Sequence, residues 1–181
     1  MSDDHRIRRA TDSEAEALAD VLLDCVEGGA SVSFMHPLSR AKALEFWQGV
    51  LASAARGERV VLVAEEVHGR AVVGTVQVVM ATPENQPHRA DVAKMLVHRR
   101  ARRHGLGAAL VRAAEDVART AGRTLLVLDT VTGGDAERLY ERLGWERCGV
   151  IPGYALMPRG GLCDTTVFYR VLTAHDAGGG A

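Results

Sequence analysis

The sequence predicts an α/β fold whose elements follow in the order β-α-α-β-β-β-α-β-α-β-β. Three observations support it: helical segments with apolar residues every three to four positions, short apolar runs between them, and glycines where elements end. The 181 residues, 47% hydrophobic and 25% charged, have the size and composition of one globular domain. We expect that domain to span residues 1–173, followed by a flexible, glycine-rich tail over residues 174–181.

The first half of the chain is predicted to hold a short strand, two helices and a β-hairpin. Thr11 and Ser39 are residues that favour helix starts, and regularly spaced apolar residues follow each of them. Between the helices, the loop 28–38 combines glycines and serines with Phe34, which indicates either a cover over a ligand or a packing hook. The predicted strands are 6–9, 59–66 and 71–80, and the helices are 11–27 and 39–56.

The second half is organised around residues 91–121, where a strand, a basic loop and a long amphipathic helix follow one another. The consecutive apolar residues of a strand over 124–130 predict burial on both of its faces. A helix over 135–143, a strand over 146–151, a turn at 152–154 and a last strand over 165–172 complete the chain.

A turn with two glycines, Gly105 and Gly107, opens the long helix. A helix start with bare backbone can bind phosphate, because its first N–H groups lack partners and its dipole favours negative charge. A plain flexible connection is an equally good interpretation. A P-loop is excluded, since alanine occupies both positions after Gly107. A dinucleotide fingerprint is weakened by the loop before Gly105 but stays open, because Asp129 lies at about the ribose-acid distance.

The run Arg102-Arg103-His104-Gly105-Leu106-Gly107 matches the Arg/Gln-x-x-Gly-x-Gly/Ala signature of the GNAT superfamily of N-acetyltransferases, in the expected strand-to-helix context. The chain resembles this superfamily over roughly residues 6–172. Within the superfamily it looks like the tabtoxin-resistance acetyltransferase group. The blocks that carry this narrower resemblance are Gly28–Met35, Leu128–Thr130, Tyr140, Pro152–Tyr154 and Thr165–Leu172.

The resemblance implies the GNAT fold: a mixed sheet of about seven strands, helices on both faces, and acetyl-CoA in a split between the strands that end at Val97 and Thr130. It implies that backbone N–H groups hold the CoA pyrophosphate, that Arg102 adds charge, and that the edge of Met95–Val97 pairs with the pantetheine arm. The N–H of Leu96 or Val97 would polarise the thioester carbonyl. The residues expected at the pyrophosphate are Arg103, His104, Gly105, Leu106, Gly107 and Ala108.

Tyr140 and Asp129 are the predicted catalytic residues. A phenol stays protonated at neutral pH and can donate a proton to the departing thiolate, and the superfamily has its acid at the position of Tyr140. On the sequence alone, the apolar face of its helix favours Tyr140 as a core residue, and it is the resemblance that favours the role of acid. Asp129, at the end of its strand, is predicted to bind the acceptor ammonium or take its proton through water, with a structural role in the following loop as the alternative.

The predicted reaction is transfer of an acetyl group from acetyl-CoA to the primary amine of a small molecule. The tabtoxin-resistance resemblance suggests an amino-acid-like toxin or antibiotic, and resistance as the outcome. The alternatives are a protein or aminoacyl-tRNA acetyltransferase and a non-catalytic acyl-CoA-binding module. The residues expected around the acceptor are Ser31, Phe34, Asp91, Asp129 and Tyr154.

Several classes of function are disfavoured by the sequence. A net charge of −1 and a single short arginine cluster argue against nucleic acid, and the CoA phosphates explain that cluster better. No apolar run approaches a membrane span, and the histidines lack metal-ligand spacing. Three cysteines without a framework indicate a reduced, cytoplasmic protein. The acceptor's identity, the acyl length, the general base and the assembly, a homodimer included, stay open.

Overall fold

The computed structural model describes residues 5–172, so the predicted tail over 174–181 lies outside the described range. The strands are β1 (His5–Arg9), β2 (Arg59–Glu66), β3 (Val72–Met80), β4 (Arg89–Val97), β5 (Leu125–Val131), β6 (Glu146–Leu156) and β7 (Leu162–Val171). The helices are α1 (Ala15–Glu27), α2 (Arg40–Ala55), α3 (Leu106–Thr120) and α4 (Asp135–Arg142), with short 3-10 turns at Asp12–Glu14 and Arg99–Ala101.

The predicted order of elements is confirmed, and most predicted boundaries lie within two residues of the observed ones. Two predictions at the C-terminal hairpin were wrong. Pro152–Tyr154 is not a turn between elements but an irregular stretch inside β6, where the pairing register shifts between Ile151 and Ala155. Strand β7 begins at Leu162, three residues earlier than predicted, because it stays paired with β6 beyond that irregularity.

The seven strands form one mixed sheet in the order β1-β2-β3-β4-β5-β7-β6. Helices cover both faces, as predicted. On one face α3 packs over the middle of the sheet, and Tyr140 and Trp145 extend this apolar cluster toward α4. On the other face α1 and α2 pack over Val61 and Val63 of β2 and Leu96 of β4. We call these the α3 face and the α1/α2 face.

Strands β4 and β5 are the parallel neighbours of the sheet, and they are paired only at their start. The pairs run from Arg89 with Leu125 to Asp91 with Val127, and none follows within the described chain. The remainder of β4, which continues to Val97, therefore has an open edge toward β5. This is the split that the family resemblance implied.

A β-bulge lies in β4 just beyond the last pair with β5. Ala93 pairs with Gln77 and Leu96 pairs with Thr75. Between these two pairs the chain advances three residues along β4 but only two along β3. Lys94 takes the left-handed backbone conformation, with φ of 50°. The extra residue reverses the alternation of side chains: Val92 belongs to the α3-face core, and so does Met95 three residues later.

Strand β5 is buried on one face only, so the prediction of burial on both faces was wrong. Leu126 and Leu128 are buried in the α3-face core, whereas Leu125 and Val127 are only half-buried and Asp129 is exposed. The packing of α1 and α2 is concentrated on β2 and β4, which leaves this side of β5 open. Asp129 also lies inside β5, two residues before its last residue, and not at its end.

Candidate active site

The N-terminus of α3 presents unpaired backbone N–H groups. Within residues 5–172, no protein group accepts a hydrogen bond from the backbone N–H of residues 103–108, and the first N–H bonded back into the chain is that of Ala109, to Gly105. Gly105 precedes the helix with φ of 77°, and a Cβ built on it would meet nothing within 4 Å. Open donors beside open space, at the positive end of a helix, suit an anionic group.

Gly107, unlike Gly105, is closely packed against other parts of the protein. A Cβ at Gly107 would lie 3.1 Å from Cδ2 of Leu139 in α4 and 3.9 Å from Sδ of Met95 in β4. The glycine therefore permits close packing of α3 on α4 and β4. Both glycines were expected to leave the backbone open to a ligand. The space beside Gly105 is empty, whereas the space beside Gly107 is filled by Leu139.

The arginines before α3 divide into two groups by their contacts. Arg99 binds Asp24 through Nε at 2.9 Å, and Arg100 binds Glu66 at 3.2 Å, so both take part in ion pairs of the protein itself. Arg102 donates through Nε to the Val97 carbonyl at 3.0 Å, which turns its guanidinium toward the end of β4. The guanidinium of Arg103 has no hydrogen-bond partner in the described chain and remains free for a ligand.

The open edge of β4 ends in the peptide groups of Val97. The next residue, His98, donates its N–H to Val73 of β3 at 2.8 Å, so strand alternation turns the N–H and carbonyl of Val97 to the opposite edge. That carbonyl is the acceptor of Arg102 and lies 3.6 Å from Sγ of Cys25. Of the two residues predicted to polarise a thioester, Val97 and not Leu96 faces the split.

Tyr140 lies in the α3-face core with its hydroxyl left unbonded. The side chain is 4% exposed, and its ring packs 5.7 Å from that of Trp145 and 6.0 Å from that of Phe168. The hydroxyl has no hydrogen-bond partner within residues 5–172, yet it is not one of the fully enclosed polar atoms. Burial, and to a lesser degree the charge of Asp129, raises the pKa of Tyr140, so the phenol is protonated throughout the neutral range.

Asp129 and Asp91 differ in how their carboxylates are engaged. Asp91 accepts a hydrogen bond from Arg89 at 2.6 Å. Asp129 has no hydrogen bond and no ion pair within 4 Å among the described residues, but its charge acts on both Lys94 and Tyr140. A cap of the following loop would need a hydrogen bond from that loop to the Asp129 carboxylate, and none is present among the described residues. Strand alternation places Asp91, Val127 and Asp129 on the same face, the α1/α2 face.

Lys94 is a charged residue of this region that the sequence analysis did not single out. Its ammonium donates to Oγ of Ser33 at 3.0 Å and lies 6.0 Å from the ring centre of Phe46. Burial lowers the pKa of Lys94, and the charge of Asp129 opposes that shift. A signal was available: a lysine interrupts the apolar residues of β4 at the point where their alternation changes phase.

The loop between α1 and α2 is held against the β6–β7 hairpin, beside the split. Ser31 donates to the Leu156 carbonyl at 3.1 Å, and His36 donates its N–H to the Pro158 carbonyl at 2.8 Å. Phe34 packs edge-on against Phe46 at 5.1 Å. Ser31 and Phe34 therefore border the α1/α2 face, whereas the predicted acceptor residue Tyr154 is 55% exposed on β6.

A surface concavity of about 330 Å³ lies on another side of this loop, against α1. The charged groups that line it are paired with one another: Asp24 with Arg99, and Glu27 with His36 at 2.7 Å. None of the predicted site residues lines it. Asp129, which has no hydrogen bond or ion pair among residues 5–172, instead lies on β5 beside the split.

Residues 18–145 match the model of the acetyltransferase (GNAT) family, and the chain belongs to that family. It is similar in structure to yncA from Salmonella typhimurium, solved with its cofactor acetyl-CoA (TM-score 0.77, 22% identity, 97% of this chain and 98% of that chain). It is also similar to the ribosomal-protein-alanine N-acetyltransferase from Brucella melitensis (TM-score 0.79, 25% identity, 92% and 99%). A third similar structure is proposed to be a phosphinothricin N-acetyltransferase (TM-score 0.77, 20% identity, 93% and 99%).

The family membership confirms the predicted enzyme class, an acetyl-CoA-dependent N-acetyltransferase with acetyl-CoA as co-substrate. In the described range, no three His, Cys, Asp or Glu side chains are grouped to hold a metal ion. Over the same residues, no helix has the length and apolar character to cross a membrane.

Proposed function

We propose that the protein acetylates the primary amine of a small, amino-acid-like molecule. The observation that carries this proposal is the carboxylate of Asp129, which has no partner among residues 5–172, lies on the open face of β5, and exerts its charge on Lys94 and Tyr140. A carboxylate without a protein partner can bind an acceptor ammonium, and it can take the proton that the amine must lose before attack. Ser31, Phe34, Asp91 and Tyr154 are the other residues that we propose around the acceptor.

The donor side of the proposal assigns the CoA pyrophosphate to the N–H groups of residues 103–108 and the thioester carbonyl to the N–H of Val97. The pantetheine arm would pair with the open edge of β4, from Met95 onward. Tyr140 would protonate or hydrogen-bond the departing thiolate. The N–H groups of residues 103–108 and the Tyr140 hydroxyl have no partner in the described protein, which is the state that a ligand-binding donor requires, whereas the Val97 carbonyl on the edge of β4 accepts a hydrogen bond from Arg102.

The narrower proposal of toxin or antibiotic resistance rests on the short sequence blocks shared with the tabtoxin-resistance group. A cytoplasmic location belongs to the same proposal, and Cys25, Cys148 and Cys163 are all unpaired.

A second candidate is N-terminal acetylation of a protein, which the similarity to the Brucella melitensis enzyme favours. A peptide acceptor needs an extended groove up to the acetyl group. Here the bonds from Ser31 to Leu156 and from His36 to Pro158 close the α1–α2 loop against the β6–β7 hairpin. We therefore rank the small amine first.

The test is release of the CoA thiol from acetyl-CoA in the presence of amino acids, amine antibiotics and alanine-starting peptides. We expect turnover with amino-acid-like amines, and a loss of about 10²-fold or more in kcat/KM for Asp129→Asn, with little change in melting temperature because the carboxylate has no partner to lose. Turnover with peptides alone would contradict the proposal. A variant that melts earlier but keeps its turnover would make Asp129 structural.

A further inference from the structure

We infer that Lys94 binds a carboxylate of the acceptor, so that the enzyme selects amines that also carry an acid group. This inference rests on the proposed function and names the residue that would set its substrate class. The bulge in β4 places Ala93 and Lys94 together on the α1/α2 face. Asp129 of β5 lies on that same face, and its charge acts on Lys94 across the split.

The ammonium of Lys94 is only partly satisfied by the protein. It has three N–H donors, and one of them is bonded, to the hydroxyl of Ser33 at 3.0 Å. Within residues 5–172, no carboxylate comes within 4 Å of Lys94, although the side chain is half-buried and lies against Phe46. A partly desolvated cation with open donors binds an anion more strongly than a surface lysine does.

A second cation, Arg59, adds to the positive potential at this place. Its guanidinium is held by two neutral groups, Oγ of Ser53 at 2.8 Å and Oε1 of Gln77 at 2.9 Å, and its charge acts on Lys94. Neither cation is neutralised by an ion pair in the described part of the protein. Besides the bonded pair of Arg89 and Asp91, the face therefore has positive charge at Lys94 and Arg59 and negative charge at Asp129.

An amino acid carries the complementary pair of charges. Its ammonium would lie at Asp129, near the acetyl group, and its carboxylate at Lys94. A plain amine would leave the Lys94 donors without an anion, and an amide would offer them only a neutral oxygen. Charge-assisted hydrogen bonds are about twice as strong as neutral ones, so acids are expected to be preferred.

The chain contains only two lysines, which gives a matched control. Lys42 also lies 6.0 Å from an aromatic ring, that of Phe34, but it is on the exposed side of α2. The kinetic experiment measures kcat and KM for each amino acid beside its primary amide, with the wild type, Lys94→Met and Lys42→Met. We expect the wild type to prefer the acids. Lys94→Met should raise KM for the acids roughly 10- to 100-fold and leave kcat and the amides nearly unchanged. Lys42→Met should behave as wild type.

A spectroscopic experiment tests the contact directly. Protein labelled with ¹³C-lysine has two side-chain Cε signals, and the Lys42 variant assigns them. In the presence of CoA, the preferred acid should shift the Lys94 signal and not that of Lys42, whereas its amide should shift neither.

The outcomes separate the two proposals. If the wild type acetylates acids and amides equally well, or if Lys94→Met keeps the preference for acids, the small-amine function stands and the assignment of Lys94 is refuted. If only peptides are acetylated, the proposed function fails and the assignment of Lys94 fails with it.

Discussion

Tyr140→Phe is the substitution that best separates catalysis from packing. The change keeps the ring between Trp145 and Phe168 and removes a hydroxyl that has no hydrogen-bond partner among residues 5–172. Because no bond is lost, we expect the free energy of unfolding to change by less than about 1 kcal/mol. For a chain of this size, that limit corresponds to a shift of roughly 2–4 °C in melting temperature. A residue that only packs would leave turnover unchanged as well.

The expected loss of rate follows from the raised pKa of Tyr140. A positioned acid is worth about 10²–10⁴-fold. The ordinary thiol pKa is about 8.5, so full proton transfer from a phenol of raised pKa is uphill, and the hydroxyl helps mainly by hydrogen-bonding the thiolate. We therefore expect a loss near the lower end, about 10²-fold in kcat, with the affinity for CoA unchanged. Since the pKa is raised, the wild-type rate should show no decline from deprotonation of Tyr140 between about pH 7 and 10.

The assay is thiol release under saturating acetyl-CoA, combined with thermal unfolding and calorimetric titration of CoA. Tyr169→Phe is the matched control, because that hydroxyl is already bonded to Glu146 of the edge strand β6 and is not open to a ligand, so its removal should not affect turnover. Unchanged turnover in Tyr140→Phe would remove the residue from the mechanism. A rate loss that follows the loss of folded protein would show that packing alone is responsible.

Two further predictions concern the support of the site. Gly107→Val should destabilise the fold by about 1–3 kcal/mol, because its side chain would meet Leu139, and Leu139→Ala in the same chain should restore part of the loss in a denaturant titration. Glu137→Gln should cost about 1–3 kcal/mol, because Glu137 accepts hydrogen bonds from the N–H of Gly133 and, at 2.6 Å, from Thr166. These bonds lower the pKa of Glu137, so its contribution is present above the ordinary carboxyl pKa and is lost as the pH falls below it. Unfolding curves at pH 7 and pH 3 should therefore differ more for the wild type than for the variant.

The order of elements could be predicted because local signals agree with the global fold. Ser39 caps α2 and accepts a hydrogen bond from the N–H of Lys42, and residues 59–66 form a strand with the predicted bounds. The signature around Gly105 located the helix start with unpaired N–H groups. These features depend on a few neighbouring residues, so one sequence is enough to find them.

The burial of β5 could not be predicted, because it depends on which strands the helices cover. A continuous apolar run fits a strand buried on both faces, yet α1 and α2 leave one face of β5 open. The same limit applies to Gly107, whose neighbour Leu139 is 32 positions away in sequence. The pairing of Arg99 with Asp24 is equally remote, and it reduced the basic cluster to fewer free cations.

The bulge in β4 links the cofactor side of the site to the acceptor side. In an uninterrupted strand, alternation from Val92 would turn Lys94 toward the α3-face core, among buried residues such as Leu110, and would turn Met95 out of it. An unpaired ammonium in that core would cost on the order of several kcal/mol. The lysine is compatible with this sheet because the extra residue turns it to the other face. The bulge also bends β4 directly after its last pair with β5, since bulged strands bend. One inserted residue thus accounts both for the open edge at Val97 and for a cation on the same face of the sheet as Asp129.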